Sequence, residues 1–196
     1  MAAPATPGDS VLTIRRVKDG SEVMRIILFT LVPASQVKDG VLNKYRIGHY
    51  PSIPFKGMAA YAPPRGFIEV TETNRSLKIA PYFTLEKFLC KQVSGYPKYL
   101  VLRPSLLSKL EGLLADVNGR GIRVDSFYVM SAFRAHYYNA AIKNVENSRH
   151  LLGGAVDIFI DANPINCVMD DLNGDGKRNK VDAMLLYKWV DKYVKN

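Results

Sequence analysis

The stretch from Pro104 to Gly121 constrains the fold most. Leu106, Leu107, Leu110, Leu113, Leu114 and Val117 recur at helical spacing, which lines one face of an α-helix with apolar side chains. Pro104 suits the first helical turn, where an N–H has no intrahelical partner, and Gly119 and Gly121 supply the stop. Such a stripe has to be buried, and the surrounding segments read mainly as strands. VLTIRRV (11–17) and VMRIILFTLV (23–32) are rich in β-branched residues and are separated by Lys18-Asp19-Gly20. A second turn, Lys38-Asp39-Gly40, precedes an extended stretch ending at Ile47. These segments predict a small β module over residues 11–57, with the Pro- and Gly-rich stretch 51–66 as its linker.

Further on, GFIEVT (66–71), Ser126–Met130 and Ala155–Ile160 read as strands. LEKFLCKQ (85–92, capped by Thr84), Tyr137–Asn147 and Asp182–Tyr193 read as helices. The expected class is α+β, with a second unit over residues 58–196. Residues 1–10, MAAPATPGDS, are small and Pro-rich and read as a flexible tail.

Hydrophobic residues make up 47% of the chain and charged residues 23%, enough to bury a core. The net charge of +9 favours anionic partners. The basic residues are scattered in pairs such as Arg15-Arg16 and Lys177-Arg178, and no nucleic-acid motif accompanies them, so no nucleic-acid partner is expected. The longest apolar stretch, Met24–Ala34, is broken by Arg25 and falls well short of the roughly 20 residues of a spanning helix. The first residues lack the basic region and apolar run of a signal peptide. Cys90 and Cys167 form one disulfide or none, and without a CxxC pair a thiolate zinc site is not expected.

Chemistry concentrates around His150. Asp157 lies between Val156 and Ile158-Phe159 in an apolar strand, where a carboxylate is costly unless paired or bound to a cation. His150 precedes Leu151-Leu152-Gly153-Gly154, a turn able to fold the histidine back against that strand. Imidazole nitrogen and carboxylate oxygen both suit Zn²⁺. The plainer reading of the two residues is a hydrogen-bonded His–Asp pair.

Ser148, His150, Gly154, Ala155 and Asp157 together follow the pattern SxHxxGxAxD, and Ser131-Ala132-Phe133-Arg134 follows SxxR upstream. In this the chain resembles the zinc D-Ala-D-Ala carboxypeptidases and the hedgehog-like peptidase superfamily, over roughly residues 60–190. The resemblance implies a domain with a small antiparallel sheet and flanking helices. It also implies His150 and Asp157 as zinc ligands, Arg134 as a substrate-binding residue and Ser148 as a support of the site. The family completes its site with a second histidine in a C-terminal HxD element and an acidic base. The histidines here are His49, His136 and His150, and none follows Asp157. Three explanations stay open: a shortened chain, a non-catalytic relative, or a third ligand from His136 or His49. Weak zinc binding or none is the expectation, since catalytic zinc normally takes three protein ligands.

A second signal lies at Asp171–Asp182. Asp171, Asn173, Asp175, Asn179 and Asp182 fall at positions 1, 3, 5, 9 and 12 of an EF-hand loop, with Gly176 at position 6 and Lys177 offering its carbonyl at position 7. Calcium is the expected ligand, with a metal-free Asx-rich turn as the alternative. Asp in place of Glu at position 12 and Arg178 at position 8 depart from that motif, and with no incoming helix evident before Asp171 the loop resembles a dockerin-type loop, although dockerins carry it in duplicate and this chain has one copy. The combined expectation is a zinc-dependent peptidoglycan peptidase of the cell envelope, or secreted, acting on stem peptides or cross-links. The alternative is a non-catalytic module of the same fold that binds peptidoglycan or a protein.

Overall fold

The computed structural model describes residue 4 and residues 6–195. In chain order the elements are β1 (Gly8–Arg15), β2 (Glu22–Thr30), β3 (Val32–Pro33), β4 (Val41–Leu42), β5 (Tyr45–Arg46), β6 (Gly66–Val70), β7 (Lys78–Ala80), β8 (Phe83–Thr84), β9 (Lys98–Leu100), α1 (Pro104–Gly119), β10 (Tyr128–Ser131), α2 (His136–Ala141), β11 (Asp157–Phe159) and α3 (Lys180–Lys195). Every sheet is antiparallel and small, and the class is α+β. No helix among the described residues is long and apolar enough to cross a membrane.

The leucine stripe behaves as its spacing requires. Leu110, Leu113, Leu114 and Val117 of α1 are buried in one cluster with Phe67, Val70, Tyr99, Phe127, Phe133, Ile160 and Leu186. The front segment does not stand apart from this core. Val32, Leu42, Tyr45 and Ile47 belong to the same cluster, and β3 pairs with β6, which pairs in turn with β9. The β1–β2 hairpin has side chains ranging from half-buried to exposed, and it meets the core through Phe29.

Several boundaries differ from expectation for local reasons. The tail assigned to residues 1–10 gives way to strand at Gly8, because Gly8, Asp9 and Ser10 pair with Thr30, Phe29 and Leu28; residues 1–3 and 5 lie outside the described residues. LEKFLCKQ forms only a 3₁₀ turn, Leu85–Phe88. Beyond Leu89 burial alternates, with Cys90 and Gln92 inward and Lys91 and Val93 outward, which is the period of extended chain. The helix expected over 137–147 ends at Ala141. There Lys143 takes a left-handed φ of 54° and the Asn139 side chain donates to the Val145 carbonyl. The last helix begins at Lys180, ahead of Asp182, because Asn179 caps it. The Asn179 Oδ1 accepts from the Val181 N–H, and Asp182 reaches back to the Asn179 N–H, the reciprocal geometry of a capping box. Cys90 is buried, Cys167 is exposed, and both are free thiols.

Candidate metal centre

The site is built where β10 and β11 meet. Tyr128 faces Phe159 and Val129 faces Ile158, and the two aromatic rings stack with centroids 4.5 Å apart. Strict alternation would then set Met130 opposite Asp157. A bulge intervenes, and Ser131 takes that position. Bulges re-aim side chains in this way, and here the exchange replaces a thioether with a hydroxyl beside a carboxylate. Met130 is left half-exposed on the surface.

His150 is carried by a single 3₁₀ turn, Arg149–Leu152. Ser148 caps its start, the Oγ accepting from the His150 N–H at 3.4 Å. Gly153 ends it at φ 61°, and its own N–H donates to the His150 carbonyl. The Gly153 carbonyl accepts from the Arg103 N–H at 3.0 Å, and a Cβ at Gly153 would lie 2.2 Å from the Val101 carbonyl oxygen. The turn is thus pressed against the segment that enters α1, in a conformation and a space that only glycine fits.

The His150 Nδ1 lies 2.7 Å from the Ala132 carbonyl oxygen. A carbonyl only accepts, so Nδ1 carries the proton, and in the neutral ring Nε2 presents a lone pair. That Nε2 faces Asp157 Oδ1 at 3.4 Å. Two acceptors turned toward each other at this separation call for a proton or a cation between them. Donors about 2.1 Å from a tetrahedral Zn²⁺ stand about 3.4 Å apart, so the spacing and the donor types fit that ion. The other carboxylate oxygen, Oδ2, accepts from an Arg134 Nη at 2.6 Å. The Arg134 Nε donates to Ser131 Oγ at 2.8 Å, and its backbone N–H donates to the His150 carbonyl at 3.2 Å. The Arg134 side chain is 11% exposed, whereas that of Asp157 is 40% exposed. Asp157 opens onto an apolar groove of about 520 Å³ between α1, α3 and β11.

Among the described residues no third His, Cys, Asp or Glu joins His150 and Asp157. His49 and His136 line a different pocket, with Arg46 and Tyr137, and the His136 ring stands edge-on to Tyr50. Burial, and then the neighbouring His49, hold His136 below the ordinary imidazole pKa. The features that sequence reading missed are the bulge at Met130 and the Ala132 carbonyl. A carbonyl leaves no mark on side-chain identity, and a bulge shows only once strands are paired.

The aspartate-rich loop closes on itself. Asp171 accepts from the N–H groups of Gly174, Asp175 and Gly176, and Asn173 Oδ1 accepts from Asp175 N–H. Asp175 accepts from the Lys177 N–H, and Gly176 turns at φ 78°. Asp182 is fully buried and accepts from the N–H groups of Asn179, Leu172 and Asn173. Those bonds, that from Asn179 foremost, hold its carboxyl below the ordinary aspartate value. The stabilisation they give is therefore present above that value and fades as acid passes the lower folded one. The donors are all oxygen, which suits a hard cation; Asp182 Oδ2 also serves the capping of α3, while Oδ1 holds the start of the loop.

Comparison of this chain with family models, with curated proteins and with solved structures finds no match.

Proposed function

We propose that this chain carries the metal-binding core of a zinc-dependent peptidoglycan peptidase with a hedgehog/D-Ala-D-Ala-carboxypeptidase-like fold, acting in the cell envelope or outside the cell. The observation that carries the reading is the 3.4 Å approach of His150 Nε2 to Asp157 Oδ1, with the tautomer set by Ala132. Bound there, Zn²⁺ would supply Lewis-acid activation of water and of a scissile carbonyl. The chain's own residues do the positioning. Ser148 and Gly153 fix the turn that carries His150, the bulge aligns Ser131 with Asp157, and Arg134 neutralises the carboxylate. A basic chain of net charge +9 suits an anionic wall polymer as substrate. The test is incubation with defined muropeptides in the presence of Zn²⁺, read by mass spectrometry. New stem-peptide termini that disappear in His150→Ala support the reading, and unchanged muropeptides contradict hydrolysis.

A non-catalytic module of the same fold is the second reading. It is favoured by Arg134, whose guanidinium is engaged with Asp157 and Ser131. Retention of the chain on peptidoglycan without new termini supports that reading.

Calcium in the 171–182 loop belongs to the same proposal, with Asp171, Asn173, Asp175, the Lys177 carbonyl, Asn179 and Asp182 as ligands. Its role is to fasten the start of α3. Millimolar Ca²⁺ is expected to raise the melting temperature by several degrees, since a ligand at about 100 times its Kd adds about 2.7 kcal/mol. Mg²⁺, which holds its water more tightly, should act less. An unchanged melting temperature would count against the site.

A further inference from the structure

We infer that Arg134 is a positioning residue for Asp157, one that leaves a single carboxylate oxygen for a metal, and not a residue that grips substrate. This rests on the zinc reading above. Its Nε is held by Ser131 Oγ at 2.8 Å and its Nη by Asp157 Oδ2 at 2.6 Å. A guanidinium that receives a substrate carboxylate needs its donor fork free; the Arg134 side chain is 11% exposed and commits two of its nitrogens to Ser131 and Asp157. With Oδ2 occupied, only Oδ1 faces His150 Nε2. One-oxygen ligation suits the low coordination number of zinc, whereas a carboxylate free to use both oxygens suits larger, oxygen-loving cations. The same short segment also governs the histidine. Ala132 sets its tautomer, and the Arg134 N–H binds its backbone carbonyl. Residues 131–134 therefore orient both candidate donors from behind, as outer partners of metal ligands commonly do.

The experiment is calorimetric titration of the full chain with Zn²⁺ and with Mn²⁺, in wild type, Arg134→Lys and Ser131→Ala. Lysine keeps the charge but loses the fork that joins Ser131 to Asp157. Zn²⁺ affinity is expected to fall about tenfold or more in Arg134→Lys and by less in Ser131→Ala, as for other outer-partner losses. Mn²⁺ affinity should change little, so the Zn²⁺/Mn²⁺ ratio falls, which a general loosening of the fold would not produce. Wild-type binding with unchanged affinity and ratio in both variants would overturn this inference and leave the zinc reading standing. Absence of Zn²⁺ binding by wild type would overturn both. Should Arg134→Lys fail to fold, Ser131→Ala decides alone: a lowered ratio supports the inference and an unchanged one overturns it.

Discussion

Replacing Asp157 with alanine is expected to destabilise the chain by about 3 kcal/mol, the low end of the range for breaking a buried ion pair. The partner left behind sets the magnitude. Arg134 is almost wholly buried and would keep only the Ser131 hydroxyl for its side chain. Partial exposure of Asp157, 40% for its side chain, lets some water reach the stranded guanidinium and keeps the effect from the upper end. For a chain of this size the change corresponds to a fall of about 6–12 °C in melting temperature. Urea unfolding checks it, with Asp157→Asn as the intermediate case because an amide oxygen still accepts from Arg134. The double variant Arg134→Met/Asp157→Leu should regain much of the loss, since apolar replacement of a whole buried pair is often close to neutral. An unchanged urea midpoint in Asp157→Ala would mean that the pair does not form in solution.

The second large effect is expected at Gly153. Alanine there meets a left-handed backbone at φ 61°, which disfavours any side chain by about 1–2 kcal/mol. It also meets the Val101 carbonyl oxygen 2.2 Å from the new Cβ, and relieving such a contact typically costs a further 1–3 kcal/mol or so. Loss of about 2–5 kcal/mol is the expected sum, with the His150 turn displaced from Ala132 as its structural consequence. Gly154→Ala is the control, since its Cβ would find Arg103 Cδ at an ordinary 3.4 Å. That variant should stay within about 1 kcal/mol of wild type. Equal effects at the two glycines would contradict the account of the turn.

What the sequence discloses here follows from how local each feature is. The α1 stripe and its Pro and Gly boundaries are set within one element, and they appear where expected. The double-glycine turn after His150 is likewise local, whereas the strand expected over Ala155–Ile160 begins only at Asp157, which sits at its exposed end and not in a buried interior. LEKFLCKQ misleads because its apolar residues serve an extended segment after a single turn, and only the surrounding core determines that. The reach of the core into residues 32–47 depends on β3 finding β6, a pairing no nearby spacing reveals. The arrangement of Arg134 depends on a bulge and on two strands meeting in register, and sequence spacing carries neither. Asp182 has a double character for the same reason. Its position in the loop matches that of an expected calcium ligand, while its bond to the Asn179 N–H makes it half of a helix cap.

The claim that His150 and Asp157 form the metal end of the site is tested most directly by nuclear magnetic resonance of chain labelled with ¹⁵N-histidine, titrated with Zn²⁺. The expected result is a shift of His150 Nε2 while Nδ1 remains protonated against Ala132, lost in Asp157→Ala, with His49 and His136 little changed. Zn²⁺ that moves the His49 and His136 resonances and leaves His150 unmoved would contradict it.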